Sequence, residues 1–168
     1  MLTALLILFM IALGLFYFQN IMLFTQVYLL LPELLVIYAG LHHPLTVAVS
    51  LAVFIGLLQD SYAITPLGSH ILAALLVVAV ARGAKSSFLL QHPLPQILVA
   101  ALALFLENLG LLFILLVVGL RETWFGEPVS SRFLEILATA ALTPLCFTLF
   151  KGIEHLAHRW RKKSLLTR

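Results

Sequence analysis

Charge is what this chain has least of. Of its 168 residues ten are Lys or Arg and seven are Asp or Glu, and none of the four occurs between Met1 and Pro32. So thin a polar covering cannot keep a chain that is 62% apolar, with a mean hydropathy of +1.12, dissolved in water. A soluble enzyme and a disordered polar chain are excluded together. Cysteine is as scarce: Cys146 stands alone inside an apolar run, so no internal disulfide forms and the thiol reads as a small core group. The N-terminus lacks a basic leader segment and a small-residue cleavage site, and is read as a retained first span. At this length the chain affords one integral membrane domain, residues 1–168, with no room for a soluble module.

Reactive constellations are missing too. No nucleotide motif, metal cluster or nucleophile with base and orienting partner can be assembled, so no catalytic residue, cofactor or metal is assigned. His42 and His43 are neighbours, and neighbouring side chains point different ways, which makes a poor metal pair. Ser69 and His70 are splayed for the same reason. The formal charge of +3 invites a nucleic-acid reading, but six of the ten basic residues fall between Lys151 and Arg168, directly after an apolar span. That is the signature of a cytoplasmic end beside anionic lipid, and nucleic acid is not expected as a partner.

What is present is an all-α pattern of six transmembrane segments, several of them short. The first runs from Leu2 to Phe18, where Gln19 and Asn20 interrupt it; Ile21 to Leu31, with Met22, Phe24 and Tyr28, suits the membrane interface. Pro32-Glu33 opens the second, with Pro at a first helical position and Glu favoured by the helix dipole. The third spans Leu45 to Gln59 and the fourth Pro66 to Ala81; the second, third and fourth are each about 15 residues, short of the ~20 that cross an untilted hydrocarbon core. Leu94 to Leu120 is the fifth. Arg121 to Arg132 forms a polar loop anchored by Trp124 and Phe125, and Phe133 to Phe150 is the last span, with Pro144 placed to kink it and Thr143 to satisfy a freed backbone group. Beyond it, residues 151–168 make a basic tail in which Ile153, Leu156, Ala157 and Trp160 share a face, as an amphipathic surface helix would.

Three features carry polar or packing chemistry. The stretch Gly56-Leu-Leu-Gln-Asp60-Ser-Tyr-Ala-Ile-Thr65-Pro66-Leu-Gly68 is a hairpin connection around which the rest of the chain is taken to be organised. Its Asp60 opposes the dipole of the helix it ends, and is expected to bind the exposed N–H groups of the next helix, with Thr65 as N-cap and Pro66 first in the helix. Glu107-Asn108 interrupts the fifth span at mid-membrane, where a carboxylate costs at least ~2.5 kcal/mol; Glu107 is expected to face the bundle interior as a neutral acid, the pair acting as polar glue. Ala48, Ala52 and Gly56 recur every fourth residue, a candidate helix-packing face. With both termini cytoplasmic, Arg82, Lys85 and the six tail residues lie inside against Arg121 and Arg132 outside, as the positive-inside rule requires.

Pro32 opening the second span, Gly56-Leu57-Leu58-Gln59-Asp60, and Pro66-Leu67-Gly68 together resemble the rod-shape-determining protein MreD family of bacterial inner-membrane proteins. The final span, with Thr139 ahead of Pro144 and Lys151 after it, is similar to that family's last helix. The resemblance implies a non-enzymatic scaffold of the cell-elongation complex that binds the transmembrane helix of MreC. It also implies help in coupling MreB filaments to the peptidoglycan glycosyltransferase and transpeptidase, and a fold like that of substrate-binding subunits of energy-coupling-factor vitamin transporters. Such a subunit is the rival function, but Ala4, Ala12 and Gly14 in the first span have the wrong separations for its coupling contact.

Overall fold

The computed structural model describes residues 2–22, 29–63, 65–87, 92–119 and 129–166. Every regular element among them is an α-helix: α1 (Leu2–Met22), α2 (Leu31–His42), α3 (Leu45–Tyr62), α4 (Ser69–Ser87), α5 (Pro93–Val118) and α6 (Val129–Leu166). Successive helices run in alternating directions. One end of the bundle gathers the end of α1, the start of α2, the end of α3 and the start of α6 around Gln19, Glu33, Tyr62 and Arg132. The other joins Tyr38 and His43 at the end of α2 to Glu154 in the tail of α6. We call these the Asp60 end and the tail end.

The helix at the centre is α2, and this corrects the expectation that the chain is organised around the Gly56–Gly68 stretch. All of Leu31 to Leu41 is buried, and α2 packs on α1, α3, α4, α5 and α6. Apart from Glu33 near its start and His42 at its end its sequence is apolar, as suits a helix enclosed by others. At 1.5 Å per residue its 12 residues measure about 18 Å, well short of a ~30 Å hydrocarbon core, and its neighbours cover both of its ends.

Large apolar side chains instead face outward on the surrounding helices, among them Met10, Leu98, Phe113, Leu137 and Leu149. A water-soluble monomer would not expose so continuous an apolar surface, whereas lipid is a good solvent for it. Three helices, within Leu45–Tyr62, Pro93–Val118 and Ser130–Leu156, are long and apolar enough to cross a membrane. The protein is an all-helical membrane protein.

Because lipid tails give apolar helices no reason to associate, close packing must hold the bundle. Ala48 and Ala52 are buried in it, and Gly56 sits so close to α4 that an added Cβ would lie 2.5 Å from Ile71 Cα and 2.7 Å from Ile71 N. The Ala48, Ala52, Gly56 face is therefore engaged inside the chain. α4 buries Ala73, Ala74, Val77, Val78 and Ala81, and Val78 and Ala81 lie against Gly40 of α2.

Several expected boundaries move. α1 continues to Met22, past Phe18, since Gln19 and Asn20 interrupt an apolar run without costing the helix its backbone bonds. α4 starts at Ser69 rather than Pro66. α6 runs unbroken through Pro144 to Leu166, so the tail continues the last span instead of turning onto the surface as a separate helix. Thr143 Oγ1 donates to Thr139 O at 3.4 Å, whereas the carbonyl deprived of its donor by Pro144 is that of Ala140. Phe24, Tyr28, Trp124, Phe125 and the side chains of Ala157 and Trp160 lie outside what the structure describes.

Candidate functional site

At the Asp60 end, α3 closes with Ala63 N donating to Gln59 O at 2.9 Å, three residues beyond which the chain enters a tight turn. In it Pro66 O accepts from both Ser69 N at 3.1 Å and Ser69 Oγ at 2.7 Å. Gly68 has φ +101°, a left-handed backbone that costs a residue with a Cβ ~1–2 kcal/mol. Its carbonyl then accepts from Leu72 N at 3.0 Å, beginning the ladder of α4.

The first donors of α4 have no partner in their own helix, and Asp60 supplies one from the preceding helix. Oδ2 accepts from Gly68 N at 2.7 Å; Oδ1 accepts from His70 N at 3.0 Å and lies 2.9 Å from His70 Nδ1. The carboxylate is buried beneath the turn. Thr65 does not cap α4, which begins four residues later; its hydroxyl lies 3.3 Å from His70 Nδ1. The difference has a simple cause: Pro66 and Gly68 shape a turn ahead of the helix, and a carboxylate is a stronger acceptor for its N–H groups than a hydroxyl.

Below this turn a cavity of about 310 Å³ opens among the helix ends and reaches down to Glu107. Glu33, Gln59 and Glu107 converge on it from α2, α3 and α5. Glu33 Oε1 accepts from Gln59 Nε2, tying α2 to α3. Glu33 Oε2, Gln59 Oε1, Glu107 Oε2 and, from α1, Gln19 Oε1 are buried with no hydrogen-bond partner among the described residues. Glu107 faces the interior, but its neighbour does not bridge helices: Asn108 Nδ2 donates to Leu104 O of its own helix at 3.0 Å. Arg132 and Glu135 of α6 complete the charged lining.

A third polar group forms at the tail end. Glu154 receives a hydrogen bond from Tyr38 Oη at 3.0 Å and pairs with His43 Nε2 at 2.8 Å, while Arg82 donates to the carbonyl of His43. His42 stacks on Tyr38 with ring centroids 4.6 Å apart and places Nδ1 3.2 Å from Tyr38 O. The two histidines thus serve different contacts. Among the described residues no group of three or more His, Cys, Asp or Glu is disposed to hold a metal.

The polar residues are therefore spent on joining helices, and the arrangement around Asp60 repeats the stretch on which the family resemblance rests. A family profile described as rod shape-determining protein MreD matches residues 1–153. The chain belongs to the MreD family. No curated protein and no solved structure matches it. The matched length takes in α1 to α5 and the spanning part of α6, and membership assigns this membrane protein to rod shape determination.

In this MreD-family chain, three polar positions have partners that sequence reasoning did not pair with them. Glu33 reads locally as a dipole partner, yet it lies 4% exposed beside the cavity with a free oxygen. Gln59 reads as part of the turn and is the residue that meets Glu33. Thr139 of α6, fully buried, accepts from Leu30 N at 3.2 Å and so satisfies a donor at the entrance to α2 across 109 positions. The available signal was scarcity: Glu33, Glu107 and Glu135 are carboxylates inside apolar segments, and all three line the same cavity.

Proposed function

We propose that the protein is a non-enzymatic scaffold of the rod complex, lying in the bacterial inner membrane with both termini cytoplasmic and six membrane-embedded helices, and that it binds the transmembrane helix of MreC. Through that contact it helps couple MreB filaments to the peptidoglycan glycosyltransferase and transpeptidase. The observation that carries this reading is the family match over residues 1–153, combined with polar clusters that join helices and contain no activated nucleophile. The excess of basic residues at the tail end supports the orientation.

An apolar trough between α1 and α6, formed by Leu6, Ile7, Met10, Ile11 and Ile153, offers a seat for a partner helix. Helices associate in lipid through close, shape-matched contact, which such a trough offers without any chemistry. Co-purification of MreC with wild type and with Met10→Trp tests this. We expect the Trp variant to lose MreC while remaining a folded monomer. Undiminished capture would place the interface elsewhere, and no capture by wild type, together with tight binding of a vitamin, would replace the scaffold by the transporter-subunit reading.

A further inference from the structure

The cavity at the Asp60 end is unusual in what it leaves unsatisfied. From α1, α2, α3 and α5 it is lined by buried oxygens that accept no hydrogen bond from the described residues, Gln19 Oε1, Glu33 Oε2, Gln59 Oε1 and Glu107 Oε2, while α6 contributes a donor group of its own, the guanidinium of Arg132. Glu33 and Glu107 are each 4% exposed, so both carboxyl groups are nine-tenths buried and aimed into the space. Buried acceptors of this kind are rarely left alone, because each forfeits its bond to water. An occupant must bring donors. It must also be compatible with three acidic side chains, Glu33, Glu107 and Glu135, against one cation, Arg132, while His70 on α4 is held by Asp60. An anion is repelled by that lining, whereas a cation gives the buried carboxyl groups of Glu33 and Glu107 a counter-charge against which to ionise.

We propose that this cavity binds a small organic cation, a primary ammonium or a guanidinium, held between the free oxygens of Glu33 and Glu107 and the amide oxygens of Gln19 and Gln59. Its volume, about 310 Å³, falls at the small end of ligand pockets. The aromatic rings of Phe16 and Tyr62, with centroids 5.3 Å apart, stand at its border and offer π faces to a passing cation. Entry is from the Asp60 end, because the lining residues of α1, α2, α3 and α6 all lie near the helix termini there. The inference rests on the cavity and not on the scaffold reading; cation binding with MreC capture lost, or the reverse, separates the two.

The test uses the full chain in lipid nanodiscs, with n-butylammonium and n-butylguanidinium as probes and butyrate and n-butanol as controls of similar shape. Saturable binding of at least one cation, by calorimetry and by a rise in thermal midpoint, is expected, with none for the controls. Glu33→Gln and Glu107→Gln each replace a charge-assisted bond with a neutral one and should weaken binding at least about tenfold. Leu111→Phe narrows the cavity while leaving every polar group in place, and should abolish binding. If either Gln variant fails to fold, Leu111→Phe decides the matter, since retained binding there overturns the proposal. So do equal binding of butyrate, absence of saturable cation binding at millimolar concentration, and unchanged affinity in folded Gln variants.

Discussion

Replacing Asp60 with Leu deprives two part-buried backbone donors, Gly68 N and His70 N, of their acceptor at once. Each orphaned donor costs ~1–3 kcal/mol, so the variant should lose about 4 kcal/mol. Asp60→Asn retains one oxygen. Placed where Oδ1 stands, it still accepts from His70 N, but its amide nitrogen then faces Gly68 N, donor against donor. The loss is that of one charge-assisted bond, about 2 kcal/mol. For a chain of this length 1 kcal/mol moves the unfolding midpoint by ~2–4 °C, which predicts a fall of about 4–8 °C for Asn and about 8–16 °C for Leu. Scans of detergent-solubilised protein at one fixed rate allow the three to be ranked even where unfolding is irreversible. Equal midpoints for wild type and both variants, or a Leu variant no worse than Asn, would refute the idea that this carboxylate ties α3 to α4.

Gly56→Ala should reduce the yield of folded monomer and destabilise it by at least ~1–3 kcal/mol, because its Cβ meets the Ile71 backbone and only a separation of the two helices can relieve the clash; wild-type yield and midpoint would contradict that. Glu107→Gln should preserve folding and MreC co-purification, whereas Glu107→Lys should lose both, since it removes one of the cavity's acids and sets a second cation there with Arg132. Loss of MreC by a folded Gln variant would show that the carboxylate itself takes part in the complex. Reporter fusions at Arg168 and in the loop after α5 should report cytoplasmic and periplasmic locations respectively, and a periplasmic signal at Arg168 would invert the orientation.

The helices were legible because membrane residence leaves a coarse signal: an apolar run bounded by Pro, Gly or a charge marks a helix almost regardless of its neighbours. Asp60 was legible for a related reason, since it lies ten positions or fewer from the donors it meets. Residues whose roles depend on distant partners were not. Glu33 and Gln59 are 26 apart and Thr139 is 109 from Leu30, and no periodicity within one helix encodes such meetings. The enclosure of α2 was missed for a subtler reason. The apolar run after Glu33 looks the same whether lipid or protein surrounds it, and only the helix's short length and that carboxylate hinted that lipid was not the solvent. Gly56 was legible as part of a candidate packing face, but which helix lay across from it depended on the turn that follows.

The enclosed position of α2 has a consequence for how the chain is made. Its Tyr38 bonds to Glu154, 116 residues later, and the entrance to α2 depends on Thr139. At a synthesis rate of ~5–20 residues per second, about 6–23 s separate the appearance of Tyr38 from that of Glu154. During that interval a helix too short to be a comfortable span must wait, beside whatever neighbours have already inserted, for its last wall. Nascent chains stalled before α6 are thus the form in which membrane proteases and insertion chaperones would meet this protein with its centre uncovered.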